Sequence, residues 1–248
     1  MAGHSKFKNI QHRKGAQDKK RSKIFTRLIK EISVASKIGG NDPETNPRLR
    51  TAIIAARSAN LPKDRIDRVI SGDDSSNDKN LEEIQYEGFI PGGIAVIVEA
   101  FSDNRNRTAS EVRYAFSKAG GNLGENGSVS FMFDRLGTIE YCLEDIENIE
   151  SYQNDIIEYA IEIGSQDVVL NEKKCLIYTD VSNYHFVINA MEQKFGAPNE
   201  SGIKWIPQNI IEVDSEEKKE KITKFVELLE ESEDISNIFM NCDTQYFE

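Results

Sequence analysis

Residues 137–207 read GTIEYCLEDIENIESYQNDIIEYAIEIGSQDVVLNEKKCLIYTDVSNYHFVINAMEQKFGAPNESGIKWIP. Along this stretch the apolar spacing switches between a period of two and a period near 3.6, the marks of strand and helix. It predicts a strand over Thr138–Leu143, a helix near Glu150–Ile163 and short strands at Val168–Leu170 and Cys175–Thr179. A helix over Asn183–Phe195 and a strand over Gly202–Ile206 complete it. The order β-α-β-β-α-β is the split βαβ, ferredoxin-like unit. Because the unit closes on itself between Gly137 and Pro207, it reads as an insertion.

The flanking chain supplies what surrounds the insertion. Strands are predicted at Leu81–Ile90, Ile94–Phe101 and Ser128–Asp134, with Pro91-Gly92-Gly93 as a turn. A helix is expected over Thr108–Ala119, where Thr108 and Glu111 have capping-box spacing. After the insertion come a helix over Glu216–Glu230 and a strand over Ile235–Asn241. The expected fold class is therefore α+β and multidomain: an N-terminal three-helix domain, then two ferredoxin-like four-stranded α/β domains, one inserted in the other. The boundaries are 1–78, 79–135 plus 208–248, and 136–207.

In the first of these domains, Ile24, Phe25, Leu28, Ile32 and Ala35 share one helical face, and Gly39-Gly40 marks a stop. Asn46-Pro47 opens a second helix with Leu49, Ala52, Ile53, Ala56 and Ala59 as its buried stripe. Leu61-Pro62 opens a third, which buries Ile66, Val69 and Ile70 and ends at Gly72. Residues 2–18 have no apolar periodicity and read as an arm that orders only on a partner. Ser71–Asn80, SGDDSSNDKN, reads as a linker.

Charge divides the chain. Residues 1–70 hold 17 Lys and Arg against 6 Asp and Glu, a balance of +11, whereas the remaining 14 cations and 36 acids give −22. Between Gly3 and Gly40 alone there are eleven cations and two acids, Asp18 and Glu31. Lys19, Lys23, Arg27, Lys30 and Lys37 fall opposite the apolar face, without the interleaved glutamates that would pair with them. A polyanion, with nucleic acid the commonest, fits such a segment. The candidate nucleic-acid-binding residues are Lys6, Lys8, Arg13, Lys14, Lys19, Lys20, Lys23, Arg27, Lys30, Arg105 and Arg107. Arg48, Arg50, Arg57, Lys63, Arg65 and Arg68 extend the basic surface.

Arg105 and Arg107 stand in the motif Ser102-Asp103-Asn104-Arg105-Asn106-Arg107-Thr108, between a strand and a helix N-terminus. Asp, Asn and Thr suit helix capping, but two cations there oppose the helix dipole. Two readings stay open: a phosphate or carboxylate site, or an Arg–Asp pair through Asp103 or Asp134.

Other chemistry finds little support. At 38% hydrophobic and 29% charged the composition is that of a soluble globular chain. There is no run for a membrane span and no secretory signal, so a cytoplasmic setting is expected. Cys142, Cys175 and Cys242 are scattered and read as reduced core thiols. His4, His12 and His185 form no ligand cluster, and no metal or cofactor is expected. GGNLGENG at 120–127 lacks the spacing of a phosphate loop. There is no GxSxG, no HExxH and no nucleophile beside a base, so no enzyme activity and no small-molecule substrate are expected.

GHSKFKNIQHRKGAQDKKRSKIF, NPRLRTAI with LPKDRI, YEGFIPGGIAVIVE, DNRNRT and GGNLGENGSVSFMF together resemble the YebC/PmpR family, which includes the mitochondrial translational activator of cytochrome c oxidase. The matching motifs lie within residues 3–135. Phe7 stands where the family usually has Trp, and Ser102 where it usually has Thr. The resemblance implies a helical N-terminal domain, two α/β domains and a non-enzymatic role. Bacterial members are described as DNA-binding transcriptional regulators; a competing family role is on the ribosome, relieving stalling at proline runs. Three functions follow: a DNA-binding regulator, a translation factor on rRNA or tRNA, and an adaptor whose acidic domains bind proteins. A monomer is expected.

Overall fold

The structure, a computed structural model, describes residues 3–73, 81–143, 148–171 and 173–243; the side chains of residues 3–20 lie outside that description. The described residues form seven α-helices and eight strands. These group into two compact units, residues 1–86 with 98–119 and 221–238, and residues 87–97 with 120–220 and 239–248.

In the first unit, α1 spans Gly3–Gly39, α2 Pro47–Ser58 and α3 Lys63–Ser71. Ile29, Ile32, Ala35, Leu49, Ala52, Ile53, Ala56, Leu61, Ile66 and Val69 make their shared core. Small alanines on α2 let the helices approach closely. Ile24, expected in this core, is 47% exposed, and the buried stripe of α1 starts instead at Phe25. The expectation of an arm without structure before Lys19 is also corrected, since the backbone is helical from Gly3. Lys, Arg, Gln and Ala are good helix formers whether or not a face is buried, so missing periodicity reports missing burial rather than missing helix.

Asn46 explains how α1 stops and α2 starts. Its side-chain oxygen accepts from the Leu49 backbone N–H at 3.1 Å, while its amide donates to the carbonyls of Ala35 and Gly40 at 2.8 and 2.7 Å. A Cβ on Gly39 would lie 2.7 Å from this buried side chain, so the closing turn needs glycine there. Gly72, in the left-handed region at φ 78°, ends α3, and the Ser71–Asn80 linker continues from there mostly outside the described residues.

The first sheet contains β1 (Glu82–Ile90), β2 (Ile94–Ser102), β3 (Asn122–Leu123) and β8 (Ile235–Met240), in the order β3-β1-β2-β8. Helix α4 spans Arg105–Lys118 and α7 Glu216–Glu230; Phe116 and Phe225 from these helices meet edge to face at 4.9 Å. The second sheet contains β4 (Phe133–Cys142), β5 (Asp167–Leu170), β6 (Lys174–Asp180) and β7 (Glu200–Pro207), in the order β5-β6-β4-β7 with antiparallel neighbours. With α5 (Ile149–Glu162) and α6 (Tyr184–Phe195) this is the split βαβ arrangement read from the sequence. Its core holds Ile139, Tyr141, Ile156, Ile177, Val187 and Met191.

One strand is misplaced by the sequence reading. Ser128–Asp134 was expected to complete the first sheet, but Ser130–Met132 is a 3-10 turn, Phe133 begins β4, and the short β3 takes the expected place. The cause is Glu87, buried at 2% exposure. Its carboxylate accepts from the backbone N–H groups of Gly127, Val129 and Ser130 at 2.8–2.9 Å, which withdraws them from any ladder.

Asn46→Ala should destabilise the chain by about 2 kcal/mol, from the lost cap and two lost donations. Asn46→Asp should cost more still, because a buried carboxylate oxygen would face the carbonyls of Ala35 and Gly40 that the amide now binds. Urea unfolding of both variants checks the order.

Candidate nucleic-acid interface

The cationic face of α1 was expected to be free for an anion. In the structure three of its members, at i, i+4 and i+7, reach groups of the same unit. Lys23 Nζ and Arg27 Nη2 each donate to the Glu230 carbonyl at 3.3 Å. Glu230 is the last residue of α7, whose final turn has no basic residue of its own. A helix C-terminus carries partial negative charge and unsatisfied carbonyls, so α1 supplies the cations that α7 lacks. Burial pushes the Arg27 guanidinium below its ordinary value, against the opposing pull of Glu230.

Lys30 is more deeply committed, at 9% exposure. Its ammonium donates to Asp234 Oδ1 at 2.6 Å and to the carbonyls of Glu233 and Phe101 at 3.0 and 3.2 Å, using all three donors. This geometry makes Lys30 a structural residue and removes it from the accessible surface. Its helical position opposite the apolar stripe was read as solvent; an internal carboxylate fills that side instead.

Asp234 is 5% exposed and gathers four side chains. Besides Lys30 on Oδ1, its Oδ2 accepts from Ser102 Oγ at 2.9 Å, Thr108 Oγ1 at 2.8 Å and Arg107 Nη2 at 2.7 Å. Burial pushes its pKa up, but the hydrogen bonds from Lys30, Arg107 and Thr108 and the Lys30 charge outweigh that and hold it down to about 2.

The strand-to-helix motif therefore divides its labour. Asn104 is the cap, accepting from the Arg107 N–H at 3.1 Å, so α4 starts one turn before the position expected from Thr108. Thr108 is fully buried on Asp234 rather than capping. Arg107 also bonds Asp103 at 2.9 Å and keeps 47% of its side chain exposed. Its hydrogen bonds to Asp234 and Asp103 raise its pKa. Of the two readings of this motif, the geometry favours the Arg–Asp pair for Arg107, through Asp103 and Asp234; Asp134 instead accepts from Gln208 at 3.0 Å. Arg105 is exposed, and its backbone carbonyl accepts from the Tyr86 hydroxyl at 3.3 Å.

Other basic residues also divide. Arg48 binds Glu31 at 2.8 Å and Glu83 at 3.0 Å; burial works against its charge, but the two carboxylates win and raise its pKa. Arg50 donates to the carbonyls of Pro43 and Glu44. Arg57, Lys63, Arg65 and Arg68 are exposed. Lys6, Lys8, Arg13, Lys14, Lys19 and Lys20 lie on α1, and their side chains are outside the described residues. Asp234, the hub, was missed: one aspartate in an acid-rich tail carries no local mark of burial.

No helix among the described residues is long and apolar enough to cross a membrane. A basic helical region followed by two four-stranded sheets defines an α+β protein. Residues 5–74 match the family described as TACO1/YebC protein N-terminal domain, and residues 81–242 match TACO1/YebC second and third domain. The chain belongs to the TACO1/YebC family. It is 57% identical over 242 residues to a "Probable transcriptional regulatory protein" of Rickettsia bellii, covering 97% of this chain and 94% of that one. A protein of the same description from Rickettsia felis is 56% identical over the same shares. The crystal structure of a conserved hypothetical protein from Aquifex aeolicus superposes with a TM-score of 0.78 at 40% identity, over 90% of each chain.

Asp234→Asn should cost roughly 3–5 kcal/mol at neutral pH, because Lys30 is left buried without its countercharge. A carboxylate whose folded pKa is depressed stabilises fully above its unfolded value, near 4, and loses that contribution as pH falls to about 2. The native chain should show this acid step in a chemical-denaturation series, and the Asn variant should lack it.

Proposed function

We propose that this chain is a non-enzymatic, nucleic-acid-binding regulator of gene expression, acting on DNA in transcription. The observation that carries the reading is the charge division, +11 in residues 1–70 against −22 beyond. Acidic stretches repel a polyanion and a basic segment attracts it, so a polyanion is drawn to the basic segment. The description of the Rickettsia relatives as transcriptional regulators supports the same reading. Lys6, Lys8, Arg13, Lys14, Lys19 and Lys20 form the main contact, with Arg105 as a second; Lys23 and Arg27 contribute where a phosphate outcompetes one shared carbonyl. In this reading 1–78 is the binding domain, 79–135 plus 208–248 the central domain and 136–207 the inserted one. The chain works as a cytoplasmic monomer without cofactor.

A second reading, a translation factor on ribosomal RNA or tRNA, is favoured by one observation. Helices α2 and α3 contain no Asn or Gln, the side chains that read adenine edges in a major groove. Their exposed cations suit phosphates, which position a protein without specifying sequence.

Binding to duplex DNA should weaken by roughly 10³ or more between low and moderate salt if six or more phosphates are neutralised. A flat salt response would sink the nucleic-acid reading. Changing Lys6, Lys8, Lys14 and Lys19 to Glu should abolish retention on DNA without changing thermal stability. Cosedimentation of the same variant with ribosomes discriminates the two: loss of the ribosome signal alone would retire transcription.

A further inference from the structure

Helix α4 is positive along its own length. Over Arg105–Lys118 it carries Arg105, Arg107, Arg113 and Lys118 against one acid, Glu111. Glu111 is turned aside: its carboxylate accepts from the Ser232 hydroxyl at 2.6 Å. The buried side of the helix is Thr108, Val112, Ala115 and Phe116. On the outer side Asn106, Ser110, Arg113, Tyr114, Ser117 and Lys118 are all exposed. Among the described residues no carboxylate pairs with Arg105, Arg113 or Lys118.

Tyr114 is the unusual member. It is 55% exposed, a large aromatic on the solvent side of a helix, with Lys118 Nζ 5.4 Å from its ring centre. Arg113 precedes Tyr114 in the chain and is exposed as well. An exposed ring flanked by cations and short hydroxyl and amide side chains is the chemistry that holds an unpaired nucleotide: the ring stacks on a base of any identity and the cations take the adjoining phosphates. A continuous duplex offers its phosphates to such a face but keeps its bases stacked away from the ring.

We propose that the outer face of α4, with Tyr114 as the stacking platform and Arg113 and Lys118 as phosphate contacts, binds an unpaired stretch of nucleic acid. The proposal rests on the nucleic-acid reading above and adds to it a second contact and a preference for single strands. Charge complementarity selects this occupant, since Arg113 and Lys118 are exposed, with no paired carboxylate among the described residues, and suit the phosphates of a polyanion.

The test uses the full chain with a labelled thymidine homopolymer strand and with the duplex formed on its complement. Tyr114→Ala should weaken single-strand binding about tenfold and leave duplex binding near native, and Tyr114→Phe should restore it, because stacking needs the ring and not the hydroxyl. Arg113→Glu with Lys118→Glu should weaken both probes and lower the salt slope by about one to two. All three side chains are exposed, so unchanged thermal unfolding is the control for folding. If all of these variants bind both probes as the native chain does, while Lys6, Lys8, Lys14 and Lys19 changed to Glu abolish binding, the face is rejected and the nucleic-acid reading stands. Failure of the native chain to bind either probe rejects both.

Discussion

The Asp234 carboxylate is the group on which the first unit depends. Four donors from three separate parts of the chain meet on its two oxygens: Lys30 from α1, Ser102 from the end of β2, and Arg107 and Thr108 from α4. A buried carboxylate is costly unless every lone pair is used, and here both oxygens are occupied by charged or hydroxyl donors. The consequence is geometric. Each donor is held in one place, so the start of α4 and the middle of α1 are registered to a single point.

That registration decides which cations of α1 are held inside the unit. Lys23, Arg27 and Lys30 share a helical face that would suit a phosphate backbone if the helix stood alone. Lys30 is instead an internal countercharge, and Lys23 and Arg27 cover the carbonyl end of α7. The latter two face a neutral acceptor at 3.3 Å, a weaker bond than the charged pair at 2.6 Å. The same helix thus carries one cation held by a buried carboxylate and two held by a carbonyl. On α4, Arg105, Arg113 and Lys118 stay exposed, whereas Arg107 is held by Asp103 and Asp234.

Much of the architecture was legible before any coordinates. The second sheet followed from periodicity because each strand and helix there buries one face, and burial is what periodicity records. Asn46-Pro47 announced the start of α2, since a cap and a fixed φ act within a few residues of chain. The start of α1 and the turn at Ser130–Met132 were read wrongly for related reasons. In the first, helix propensity acts without a buried face. In the second, Glu87, some forty residues away, takes the backbone N–H groups that the local pattern assigned to a strand.

By itself the sequence determined the class of fold, the division of charge and the family, because all of these depend on composition and short-range spacing. Tertiary structure alone decided which basic residues stay exposed. Lys30 and Arg105 look alike in a list of cations, yet one is sealed against Asp234 and the other is exposed. The difference is the position of a carboxylate 204 residues along the chain, and a pairing over that separation leaves no trace in local pattern. Tyr114 shows the converse: its aromatic character was visible from the start, but only the packing of α4 on its other face established that the ring is presented to solvent.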